Sequence, residues 1–137
     1  MKKLTLFILL VSLLGCDPEK IIEEQQTNLV IQAITTGYWK VQNFTKGGND
    51  ITSDFASYKF KFNSNYTVDA LNNGVIERSG TWTADPDAQT ITSNFTNASH
   101  PVVLLNGTFN INSTTWTSVN ASQDYNGEMR TMRLEKE

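Results

Sequence analysis

The chain has 137 residues, 39% of them hydrophobic and 18% charged, with eleven basic side chains against fourteen acidic ones and a formal charge of −3. That length suits one domain able to bury a core of its own, and two domains are not expected. An acidic balance argues against nucleic acid as a partner, and a single cysteine leaves stability to packing rather than to disulfides.

Met1-Lys2-Lys3 precedes an apolar run from Leu4 to Leu14, too short to span a bilayer comfortably and without a basic flank on its far side. This is the layout of a secretory signal peptide. Its end, Leu13-Leu14-Gly15-Cys16, resembles the lipobox of bacterial lipoproteins. The resemblance implies cleavage after residue 15, a diacylglyceryl thioether on Cys16 and acyl chains such as palmitate. One chain holds a protein marginally and two or three hold it stably, since each buried methylene contributes about 0.8 kcal/mol. Loss of residues 1–15 removes Lys2 and Lys3 but no acid, so the expected mature chain has 122 residues and nine basic side chains against fourteen acidic ones, a formal charge of −5.

Residues 16–35 read as the lipidated cysteine, an acidic tether and a short helix. Asp17-Pro18-Glu19 has the cap, the first-turn proline and the dipole-matched acid of a helix start. Leu29 to Ile34 extends a helical pattern that Gly37 can close. The acids Asp17, Glu19, Glu23 and Glu24 resemble the segment that follows the cysteine in some surface-exported lipoproteins, and a solvated linker accounts for them equally well. Asp17 directly after the cysteine resembles an inner-membrane retention signal. Family resemblance favours the outer membrane over the inner one for this envelope protein.

From residue 36 the chain turns rich in Thr, Asn, Ser and Gly, with aromatics spread through it. Tyr58-Lys59-Phe60-Lys61-Phe62 alternates strictly, as a half-buried strand requires. Asn73-Gly74 marks a two-residue hairpin, and Asp85-Pro86-Asp87-Ala88 marks a turn. Strands are expected around these signals, at Thr90 to Phe95, from Val102 through Leu105 to Ile111, at Thr114 to Val119 and at Met129 to Leu134. Their spacing implies an all-β barrel or sandwich, too polar for a lipid-facing band.

Gly37-Tyr38-Trp39 entering the first strand after a small helix resembles the opening motif of the lipocalins and of lipocalin-like bacterial lipoproteins. The resemblance covers roughly residues 37–134, and it makes residues 36–137 an eight-stranded antiparallel up-and-down barrel with a short N-terminal helix. It also implies a basic residue of the last strand, Arg130 or Arg133, stacked on Trp39. Trp39, Tyr58, Phe60, Phe62, Trp82 and Trp116 are the expected inward residues, either filling the barrel or lining a lumen. An eight-stranded barrel lies at the boundary between those outcomes, and the number of rings favours a mainly filled interior with at most a shallow open end.

Chemistry is sparse. His100 is the lone histidine and falls in a loop, Asp85 and Asp87 belong to a turn, and Asp50 and Asp54 suit a capped helical turn. No metal-ligand cluster, cofactor motif or catalytic constellation emerges, so an enzyme ranks last. Two readings lead: an anchored protein binding a small apolar or amphipathic ligand, and a filled module docking onto another envelope protein.

Overall fold

The computed structural model describes residues 29–137, so residues 1–28, with the signal-peptide and Cys16 expectations, lie outside the described residues. Helix α1 covers 29–35 and ends before Gly37, whose φ of +77° is the left-handed conformation that closes a helix. Strands follow in order: β1 (Trp39–Lys46), β2 (Asn49–Asp50), β3 (Tyr58–Phe62), β4 (Thr67–Asn72), β5 (Val75–Asp85), β6 (Thr90–Asn94), β7 (Gly107–Thr114), β8 (Ser118–Tyr125) and β9 (Glu128–Lys136). All pairings are antiparallel, each long strand lies beside the next, and β1 also pairs with β9. The sheet therefore closes into an eight-stranded up-and-down barrel, with the two-residue β2 as a flap on β1. The expected fold is the observed one.

Local chemistry accounts for most of this order. Tyr58, Phe60 and Phe62 point inward while Lys59 and Lys61 point outward, as their alternation requires. Asn73-Gly74 and Asn126-Gly127 both take positive φ at two successive residues, the hairpin geometry that matches strand twist. Asp85 Oδ1 accepts the backbone N–H groups of Asp87 and Ala88, which makes the turn after β5. Bulges at Val41/Asn43, Ala70/Leu71 and Ile111/Ser113 supply the local bends that closure needs.

The strand expected from Val102 is corrected. Val102–Leu105 is a 3-10 turn, and pairing starts only at Gly107. Four apolar residues in a row carry no period that distinguishes a buried turn from a buried strand. Here Val102, Leu104 and Leu105 close one end of the barrel together with Phe55 from the 3-10 turn Thr52–Phe55. Phe55 packs on Phe44 at 5.0 Å between ring centroids, and Phe95 meets Phe60 edge-on at 6.3 Å. Where β6 and β7 part, the Asn106 side chain stands in for a strand. Its Oδ1 accepts the Phe95 N–H at 2.6 Å and its Nδ2 donates to the Phe95 carbonyl at 3.2 Å.

Near this closed end the Tyr58 hydroxyl donates to Glu77 at 2.7 Å and the Asn72 amide donates to the same carboxylate at 3.1 Å. These hydrogens hold the Glu77 carboxyl below its ordinary value of 4.5. Burial, and then the bond to that carboxylate, push the Tyr58 hydroxyl above its ordinary 10.0. A depressed carboxyl adds stability above its unfolded pKa and loses it as pH falls, whereas a raised phenol adds stability below its unfolded pKa and loses it as pH rises. The pair therefore contributes fully between about pH 5 and pH 9. Glu77→Gln should flatten the acid side of the urea midpoint plotted against pH, between about pH 5 and pH 3. An acid limb as steep as that of the parent chain would show that this bond is not linked to folding.

Candidate functional site

Opposite the plugged end, α1 lies across the other mouth of the barrel and leaves a cavity of about 620 Å³ between itself and the strands. The floor is Trp39 on β1, Phe62 on β3, Ile91 on β6, Ile111 on β7 and Val119 on β8. Leu29, Val30, Ala33 and Ile34 of α1 form the roof. The rim comes from Asp85 at the end of β5, from Pro86 and Gln89 in the β5–β6 turn, and from Thr115 and Trp116 in the β7–β8 turn. Apolar lining with a few polar groups at the opening, at a volume inside the 300–1,000 Å³ typical of small-molecule sites, suits a ligand with an apolar body.

The roof is fastened by donors that find the free carbonyls of the last helical turn. Trp39 Nε1 donates to Ile34 O at 2.8 Å, Lys136 Nζ to Ala33 O at 2.7 Å, and Lys61 Nζ to Thr35 O at 2.8 Å. Two cations at a helix C-terminus also face the negative end of its dipole. Burial, and then the neighbouring Lys61 charge, lower the Lys136 pKa from its ordinary 10.5. The apolar face of α1 and these three anchors together position one wall of the cavity.

The expected stacking of Arg130 or Arg133 on Trp39 is corrected. Lys136 Nζ is the cation over that indole, 5.0 Å from the ring centroid. Register explains it, because Trp39 lies opposite Lys136 while Arg130 lies opposite Lys46. Six residues of strand separate the two positions, about 20 Å. Arg130 instead stacks on Tyr125 at 4.1 Å and bonds Glu128 and Gln123, and Arg133 points outward to Glu135 and Asn120.

The six expected inward aromatics divide. Trp39, Phe62 and Trp116 border the cavity, whereas Tyr58, Phe60 and Trp82 are buried in the body of the barrel and do not. Trp82 packs edge-on against Phe62 at 5.6 Å and donates its Nε1 to Asn63 O. Trp116 is corrected in place: it belongs to the β7–β8 turn rather than to a strand, and it is 55% exposed at the rim. The interior is thus filled over most of its length, as expected, but the open end is roomier than shallow. The α1 roof residues, expected as a short apolar helix plugging one end of the domain, are the part of the site that the sequence did not single out as ligand-lining.

His100 has an orienting partner that the sequence did not supply. Its Nε2 lies 2.8 Å from Asp54 Oδ2, with both side chains exposed and neither lining the cavity. Among the described residues there is no group of His, Cys, Asp and Glu arranged to hold a metal. Asp50 accepts from the Thr52 N–H and hydroxyl, which lowers its pKa, but the expected side-chain cap is corrected: the 3-10 turn has Ile51 at its N-cap and no side-chain cap bond.

No family model and no curated protein matches the sequence. Among solved structures, the chain is similar to a DUF4847 family protein from Bacteroides vulgatus, with a TM-score of 0.55 and 15% identity over 77% of this chain and 96% of that one. At that identity the likeness is one of fold, and it makes this chain a member of the same barrel architecture.

Proposed function

We propose that the chain is a non-enzymatic envelope lipoprotein, acylated at Cys16 and held in the outer membrane, whose barrel binds a small apolar or amphipathic ligand at the α1 end. The observation that carries the binding reading is the cavity itself, about 620 Å³ with aliphatic and aromatic walls on an otherwise filled barrel. Cavities of that size and lining bury most of a small ligand's surface. The anchoring reading is supported by the basic flank, apolar run and Leu-Leu-Gly-Cys of residues 2–16. A second reading, a module that docks onto another envelope protein, is favoured by the close-packed rings that fill the rest of the interior.

Titration with an environment-sensitive hydrophobic dye tests the first reading. Dye binding should quench tryptophan emission through Trp39 and Trp116 and raise the melting temperature, by linkage of binding to the folded state. Ile111→Trp, which puts a large ring into the cavity floor, should weaken binding about tenfold or more while the far-ultraviolet spectrum stays that of the parent. Absence of any shift across a broad panel of apolar compounds would favour the docking module. Mass spectrometry of Cys16 on native protein, with and without acyl mass, tests the anchor separately.

A further inference from the structure

The residues around the cavity are of one electrostatic kind. Among the described residues, Asp85 is the single ionisable side chain that lines it, and no lysine, arginine or histidine does. Lys61 and Lys136 lie beside the roof and donate to backbone carbonyls there, Lys61 to Thr35 and Gly37 and Lys136 to Ala33. Lys136 moreover lies against the Trp39 ring, which itself forms part of the cavity wall. A carboxylate or phosphate brought in on an apolar tail would therefore lose water without gaining a cation from the lining residues, and at the opening it would approach the exposed Asp85. The rim carries hydrogen-bonding groups without positive charge in Gln89, Asn112, Thr114 and Thr115.

Building on the binding reading above, we infer that the cavity takes amphiphiles whose head group donates hydrogen bonds and carries no negative charge, and that it discriminates against fatty-acid anions. Asp85 is the specificity-determining residue. One of its oxygens already accepts two backbone N–H groups of the turn, so Asp85→Asn keeps that acceptor and the turn while removing the charge.

The test uses the chain from residue 16 onward with Cys16→Ser, so that no acyl group of its own competes. Decanol, decylamine and decanoate share one tail and differ in the head, and each is titrated against bound dye at pH 7. Decanol and decylamine should bind about tenfold more tightly than decanoate. Asp85→Asn should raise decanoate affinity a few fold and lower that of decylamine, with decanol unchanged. Decanoate binding as tightly as decanol, or an Asp85→Asn variant that leaves all three affinities where they were, would overturn the head-group rule while the cavity reading stands. Failure of both dye and amphiphiles to bind would remove the cavity reading, and this rule with it.

Discussion

Trp39→Ala should destabilise the folded chain by about 3–5 kcal/mol, read as a loss of urea midpoint at constant slope. The side chain is 1% exposed, and its removal deletes the largest class of apolar surface from the core. It also leaves the Ile34 carbonyl without its N–H donor, Lys136 without the indole beneath it, and the cavity without part of its floor. Trp39→Phe separates these contributions, since it keeps a ring and loses only the donor and the outer part of the indole. About 1–2 kcal/mol is expected for it. A Trp39→Ala cost below about 1 kcal/mol would mean that the ring is not part of the packed core.

The second large effect comes from a residue with no side chain. At Gly80 on β5, an added Cβ would lie 2.3 Å from the backbone oxygen of Asn94, 3.0 Å from its carbonyl carbon and 3.0 Å from the Phe95 ring. Those atoms are held in place, because Asn94 pairs with Thr81 and Phe95 is buried against Phe60. A methyl group can enter only by prising β6 off β5 near the end of their shared ladder. Gly80→Ala should therefore cost about 3 kcal/mol, at the upper end of what overpacking a core brings. Thr83→Ser, exposed three residues along the same strand, should stay within about 0.5 kcal/mol of the parent. Equal midpoints for the two variants would refute the close approach.

The sequence spoke clearly wherever the deciding physics is local. Tyr58 to Phe62 could be assigned because strand alternation repeats every two residues, and Asn73-Gly74 because positive φ is chemically restricted. Gly37 could be read as the end of a helix for the same reason. What stayed illegible depends on partners far along the chain. Choosing Lys136 over Arg130 for Trp39 requires the β1–β9 register, which no run of residues near either one encodes. Val102–Leu105 could be apolar in a strand or in a plug, and only the barrel end they meet decides. The aromatics announced a core, but whether each one fills or lines the interior depends on its height along the barrel axis. Phe60 and Phe62 are neighbours on one face of β3, and only Phe62 reaches the cavity.

The wall of the barrel is uneven around its circumference. β1 and β9 share a long ladder, whereas β1 and β3 meet through one residue pair, Trp39 with Phe60. Farther along β1, Phe44 bonds the Ile51 N–H and the Thr52 hydroxyl instead of a neighbouring strand. Transient opening of a folded protein starts where fewest bonds must break, and this stave has the fewest ladder bonds to break. Its single rivet, Trp39, is also part of the cavity floor, so under the proposed binding reading a guest at the mouth would rest on the very residue that joins the two staves.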